Sequence, residues 1–165
     1  MATTASTQAT RTLDAQKVWY RATLYDPDGA FHSAEEAAGM LGVPLHAMYK
    51  TLVVQREGDA RAKPIIVMIP ADSELDLKAL AKAAGAKKLR MAPQREAERL
   101  TGMHAGGISA LGLQRPASFE ILIDERARTL ETIHISAGVR GMEIELRTED
   151  LVRLTNARYV PTTAA

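Results

Sequence analysis

Tyr49-Lys50-Thr51-Leu52-Val53-Val54 reads as an apolar strand with a cation set into it. The period of two along a strand puts Lys50 on the same face as Leu52 and Val54, so an ammonium shares a surface with side chains that seek burial. Such a lysine either snorkels out at the sheet end, where it deters edge-to-edge pairing, or points into a polar cavity as the cation of an anion-binding pocket. Beyond the turn at Glu57-Gly58-Asp59 comes Ile65-Ile66-Val67-Met68-Ile69, held between Pro64 and Pro70. A continuous apolar run of that length predicts a strand covered on both faces.

Working outward, the side towards the N-terminus holds the clearest helix. Ser33-Ala34-Glu35-Glu36 has the form of a capping box, Ala34, Ala37, Ala38 and Leu41 follow helical spacing, and Gly42 supplies the stop. Before it the sequence predicts a helix over about residues 12–20 and a short strand over 21–25, which Asp26-Pro27-Asp28-Gly29 ends with turn chemistry. On the other side, Leu77, Leu80, Ala81 and Ala84 mark a helix closed by Gly85, Lys88 to Met91 a short strand, and Pro93 the first residue of a helix ending at Gly102. Strands follow at 119–124, 132–137 and 142–147, and Thr148 is placed to cap a last helix through Leu154. Strands and helices that do not alternate strictly predict an α+β fold, a mixed β-sheet or barrel flanked by helices. One domain over 11–160 is expected, with residues 1–10 and 161–165, poor in periodicity, as tails.

Composition narrows the chemistry. The 165 residues include no cysteine, which removes disulfides, thiolate nucleophiles and thiolate-ligated metals. No apolar stretch reaches the roughly 18 residues of a membrane span and no signal peptide is visible, so a cytoplasmic protein without membrane contact is expected. The net charge of +1 hides an asymmetry: from Leu77 to Arg95 there are six Lys and Arg and no acidic residue. Lys78, Lys82, Lys87 and Lys88 in that run form either a solvated helix face or a footprint for a phosphate backbone.

The segment from Gly102 to Gly112 carries four glycines in eleven residues, which lets backbone N–H groups approach a ligand or makes tight turns. It matches neither a P-loop nor a dinucleotide fingerprint. Glu143 and Glu145 share a strand face about 6.5 to 7 Å apart, a spacing compatible with paired carboxylates but shared by any strand with a solvated face. The four histidines show no metal-ligand spacing, so no metal or cofactor is expected. Ser109, His134 and Asp124 could form a triad only without a nucleophile elbow.

Tyr49-Lys-Thr-Leu-Val-Val, Leu75-Asp-Leu-Lys, Gly85-Ala-Lys-Lys, Thr101-Gly, Gly106-Gly-Ile-Ser, Ile123-Asp and Arg140-Gly-Met-Glu-Ile-Glu-Leu, taken in this order, resemble the YbaK family of editing domains associated with prolyl-tRNA synthetase. The resemblance runs from about Tyr25 to Tyr159 and implies a free-standing, or trans-editing, aminoacyl-tRNA deacylase, most closely one removing cysteine from tRNA charged for proline. It makes Lys50 the essential pocket lysine, Gly106 and Gly107 the catalytic glycine loop, and Tyr25, Ser109, Glu143 and Gly138 the substrate-binding set. The implied partners are the tRNA acceptor end and prolyl-tRNA synthetase. The implied nucleophile is the thiol of the substrate's own cysteine, or a positioned water for other amino acids. Ala110, Ala137 and Ser33 depart from the family pattern, where a proline, a glycine and an aromatic pocket residue occur. These departures bear on which amino acid is removed, and they keep open an editing deacylase for another small amino acid such as alanine, a non-catalytic tRNA- or synthetase-binding module, and hydrolysis of another small ester.

Overall fold

The structure is a computed structural model and describes residues 6–163. Helix α1 (Gln8–Gln16) leads into strand β1 (Tyr20–Leu24), and α2 (Ala34–Leu41) precedes β2 (Tyr49–Arg56) and β3 (Ile65–Pro70). Then come α3 (Leu77–Ala84), β4 (Leu89–Met91), α4 (Gln94–Thr101), β5 (Glu120–Asp124), β6 (Thr132–Ser136), β7 (Met142–Arg147), α5 (Thr148–Thr155) and β8 (Arg158–Val160). The expected α+β mixture is present as two sheets, and among the described residues neither closes into a barrel.

The larger sheet has the order β4-β2-β3-β5-β8, antiparallel across β2 and parallel from β3 through β8. The smaller has the order β1-β7-β6 and is antiparallel throughout. A single parallel bridge between Met48 and His134 joins the start of β2 to β6 and so ties one sheet to the other.

β3 is buried at every position, as its unbroken apolar run predicts. Ile66 and Met68 enter the main core between the sheets, while Ile65, Val67 and Ile69 enter a second core under α3 with Val54, Leu80 and Leu122. A third, small cluster of Ala37, Ala38, Met48 and Ala71 seats α2 over the start of β2. The capping box of α2 is formed as read: Ser33 Oγ accepts from the Glu36 N–H at 3.1 Å, and Glu36 Oε1 accepts from the Ser33 N–H at 3.2 Å.

Both chain ends correct the sequence reading. The expected tail over 1–10 is corrected from Thr7 on, where the chain is ordered by caps and burial; residues 1–5 lie outside the described residues. Thr7 accepts from the Thr10 N–H, donates to the Ala137 carbonyl at 2.8 Å, and starts α1 well before Thr12, with Ala9 and Leu13 fully buried. A Ser/Thr/Ala stretch hides this helix because its apolar stripe is only two small or medium side chains wide. At the other end, Thr162 is fully buried and its hydroxyl meets Asp124, while its carbonyl accepts from the Asp76 N–H at 2.8 Å. Residues 161–163 are therefore pinned, and 164–165 lie outside the described residues. The short β8, which extends the large sheet beside β5, carries no alternation long enough to be seen in sequence. Thr148 begins α5 without capping it; its hydroxyl is buried and unpartnered, and its N–H donates to the Glu131 carbonyl at 3.0 Å.

Asp124 also accepts from Arg126 Nε at 2.8 Å. Burial pushes the Asp124 carboxyl up, but the bonds from Arg126 and Thr162 outweigh it and hold the group below the usual carboxylate range. Replacing Thr162 by Val removes a hydroxyl bonded to a buried charge, and we expect a loss of about 1.5–3 kcal/mol in urea unfolding at neutral pH. A loss below about 0.5 kcal/mol would mean that Thr162 does not anchor this end.

Candidate active site

A cavity of about 230 Å³ opens where the ends of the two sheets meet α2. Its walls come from Tyr25 and Phe31–Ser33 after β1, Ala34 and Ala37 of α2, Met48–Leu52 of β2, Gly106 and Ile108, Ser136 at the end of β6, and Met142 and Glu143 at the start of β7. Four of the expected site residues, Tyr25, Lys50, Gly106 and Glu143, are brought together here from four separate parts of the chain.

Lys50 lies opposite Ile69 in the β2–β3 ladder and is partly buried. Among the described residues no carboxylate forms an ion pair with it. β4 pairs with β2 only over Val54–Arg56, so at Lys50 the ladder continues on the β3 side alone; what sets Lys50 apart from an edge guard is its place in the cavity lining.

Glu143 is only 4% exposed, so the reading of its strand face as solvated fails at this position. Its Oε1 lies 2.7 Å from His134 Nδ1, while Oε2 is buried without a partner. Glu145, on the same strand face, is not its equal partner: it accepts from Thr132 Oγ1 at 2.9 Å, lies 3.8 Å from Arg21 and is not in the cavity lining. His134 stands between them, with Nε2 3.7 Å from Glu145. Burial pushes the imidazole down, but the Glu143 bond together with the charges of Glu143 and Glu145 raises it above its ordinary value.

The glycine loop divides into two roles. Gly106 has φ +85° and a bare α-carbon against Phe31; a Cβ there would lie 2.8 Å from Phe31 Cδ2. Gly107 faces away from the cavity, and a Cβ on it would lie 2.7 Å from the backbone of both Val139 and Arg140. The Gly107 N–H donates to the His104 carbonyl at 2.8 Å, so it is not available to a ligand, whereas the N–H groups of Gly106 and Ile108 have no partner among the described residues. Gly107 thus sets the close approach of two loops, and the residues of this loop that line the cavity are its neighbours Gly106 and Ile108.

Ser109 and Gly138 stand behind the lining. Ser109 is fully buried and its Oγ accepts from the Leu111 N–H at 3.2 Å; Gly138, at φ +95°, donates to Ser136 Oγ at 3.1 Å. The Ser109-His134-Asp124 triad does not assemble, because His134 is engaged by Glu143 on the small sheet and Asp124 by Arg126 and Thr162 on the large one. Among the described residues no three His, Asp or Glu side chains converge as a metal ion would require.

Sequence reasoning missed Phe31 and His32, and read His134 only as a member of a triad. Phe31 is 56% exposed at the cavity rim, with the Arg140 guanidinium 5.3 Å from its ring centroid, and Arg140 Nε donates to the Ala105 carbonyl at 2.7 Å. The aromatic wall that Ser33 fails to supply therefore comes from two residues earlier, and Ser33 itself caps α2. His32 Nε2 meets Asp26 Oδ2 at 2.7 Å, and this bond holds the Asp26 carboxyl below its ordinary value. The Tyr25 and Asp26 N–H groups both donate to the Gly141 carbonyl, at 2.8 and 3.1 Å, which fixes the loop after β1 against the turn before β7. Burial pushes the Tyr25 phenol up.

The four lysines gather on one face, along a groove floored by Leu77, Ala81, Ala86 and Leu89. α3 packs on the side of the large sheet to which Leu52 and Val54 point, the side Lys50 shares by alternation. Lys88 Nζ lies 3.4 Å from Glu57, although its side chain is 76% exposed. No helix among the described residues is long and apolar enough to cross a membrane.

The model of the aminoacyl-tRNA editing domain matches residues 28–154. EbsC of Enterococcus faecalis, which carries the name of a Cys-tRNA(Pro)/Cys-tRNA(Cys) deacylase, is 36% identical over 157 residues, covering 95% of this chain and 93% of that protein. A proline–tRNA ligase of Limosilactobacillus fermentum is 26% identical over 112 residues, which are 67% of this chain but 19% of the ligase. In structure, a crystallised protein described as a trans-editing enzyme for prolyl-tRNA synthetase superposes with a TM-score of 0.79 at 21% identity, over 98% of this chain and all of its own. The chain belongs to the aminoacyl-tRNA editing domain family. Within that family it is a YbaK-like enzyme of the aminoacyl-tRNA deacylase class, related to the editing domains of prolyl-tRNA synthetases.

Proposed function

We propose that this deacylase acts in trans in the cytoplasm on Cys-tRNA(Pro), removing cysteine from the acceptor end before the tRNA reaches the ribosome, with prolyl-tRNA synthetase as a partner. The observation that carries this reading is the convergence in one cavity of Lys50, which forms no ion pair among the described residues, and Glu143, whose Oε2 has no hydrogen-bond partner. An aminoacylated 3′ end presents a phosphate or ribose edge for the lysine and an α-ammonium for the carboxylate. The ester carbonyl between them is within reach of the N–H groups of Gly106 and Ile108, which stabilise the oxyanion as the carbonyl is attacked. Attack by the cysteine thiol, or by a positioned water, displaces the ribose oxygen, and the chain supplies placement without a nucleophile of its own. A cavity of about 230 Å³ is below the usual range of roughly 300–1,000 Å³ for small-molecule sites, which favours a small amino acid. The name and 36% identity of EbsC favour cysteine among the small ones.

The test is a panel of aminoacyl-tRNAs under single turnover: Cys-, Ala- and Pro-tRNA(Pro), and Cys-tRNA(Cys). Fastest release from Cys-tRNA(Pro), with Pro-tRNA(Pro) spared, is expected; fastest release of alanine would reassign the substrate, and no release from any would overturn the catalytic reading.

We further assign Lys78, Lys82, Lys87 and Lys88 to the tRNA backbone. Each phosphate contact removed should lower the slope of log affinity against log salt by about 0.9, and the Lys88 share is expected to be the smallest because Glu57 already engages it. Replacing all four by Gln and finding affinity and slope unchanged would place the footprint elsewhere.

A further inference from the structure

The cavity-lining carboxylate of Glu143 has two oxygens in different states, and one residue outside the cavity accounts for the difference. Oε1 is held at 2.7 Å by His134 Nδ1, and Oε2 is buried with no partner. His134 is not in the lining; its side chain sits on the face of the small sheet shared by Thr132 and Ser136, directly opposite Glu145 in the β6–β7 ladder. Its own placement is over-determined: the ring lies between the Glu143 and Glu145 carboxylates, and its backbone forms the one bridge from the small sheet to Met48, two residues before Lys50.

We propose that His134 is a positioning residue for amino-group recognition: it fixes Glu143 through Oε1 so that Oε2 alone faces the substrate's α-ammonium. The inference rests on the reading of the cavity as the aminoacyl site. A free glutamate turns about its last side-chain bond and offers either oxygen, or both, in several directions. Bonded at Oε1, the carboxylate of this cavity-lining residue has one acceptor left without a partner, and the unsatisfied buried lone pairs there are matched by an ammonium and not by an acylated nitrogen.

The probe is 3′-(L-cysteinylamino)-3′-deoxyadenosine, whose amide replaces the scissile ester, together with its N-acetyl form. Binding of both is measured by calorimetry to wild type, His134→Leu and His134→Asn, with thermal unfolding to follow the fold; Asn keeps an N–H donor at the δ position. A displaced carboxylate costs roughly 10- to 100-fold in such a geometry-dependent contact. We expect wild type to prefer the free amine, His134→Leu to lose that preference by about that factor, and His134→Asn to retain most of it. A folded His134→Leu variant that keeps the wild-type preference would overturn the role of His134 while leaving the aminoacyl site intact. No preference in wild type would overturn ammonium recognition by Glu143, and this inference with it. A merely structural histidine would weaken both probes equally and lower the unfolding temperature without changing their ratio, which would also overturn the proposal.

Discussion

Lys50→Ala is expected to fold as wild type does and to lose about 30-fold to several hundred-fold in single-turnover deacylation. The fold is spared because Lys50 is partly exposed and, among the described residues, has no ion pair to lose, so its truncation falls among substitutions that change stability by about 0.5 kcal/mol or less. The rate is not spared because the ammonium is a charge-assisted contact in a partly buried cavity, and donors of that kind are worth roughly 2–4 kcal/mol in the transition state. Lys50→Arg is expected not to rescue. A planar fork on a longer side chain cannot take the place of a compact ammonium within about 230 Å³. Circular dichroism and chemical unfolding establish the fold, and rapid quench the rate. A folded Lys50→Ala variant that deacylates at the wild-type rate would end the case for this lysine.

Glu143→Gln is the second large effect. The substitution keeps the shape and one acceptor but removes the charge that faces the α-ammonium, and a hydrogen bond to a charged group contributes about 1.5–3 kcal/mol. That corresponds to roughly 10- to 150-fold in kcat/KM. Glu145→Gln is expected to act normally, since Glu145 bonds Thr132 and lies near Arg21 outside the cavity. Equal losses from the two substitutions would instead favour a pair of carboxylates working together, as the spacing along the strand allows.

Local signals carried most of the fold and about half of the site. The capping box at Ser33 and Glu36, the five apolar residues of β3 between prolines, and the stop glycines at 42, 85 and 102 each fix a short element by chemistry within a few residues, and each stands where it was read. The first turn of α1, and β8, are hidden because tertiary contacts made far along the chain order them: Thr7 to Ala137, and Thr162 to Asp124 and Asp76. The same division holds at the site. A cation in an apolar strand is a local conflict, so Lys50 could be found; the state of Glu143 depends on a cross-strand partner nine residues away, and nothing in the alternation of β7 says which glutamate is buried. Gly107 shows the limit of motif reading, since two adjacent glycines look alike in sequence while only Gly106 meets the cavity and Gly107 serves the approach of the turn at Val139 and Arg140.

The site itself is tested most directly by a crystal structure of the protein with 3′-(L-cysteinylamino)-3′-deoxyadenosine bound. The aminoacyl group is expected between Tyr25, Lys50 and Glu143, with its ammonium on Glu143 Oε2 and its carbonyl oxygen on the N–H groups of Gly106 and Ile108. A ligand seated along the lysine groove of α3, or in the cavity with its carbonyl turned away from those donors, would contradict the assignment of this cavity as the place where the ester is cleaved.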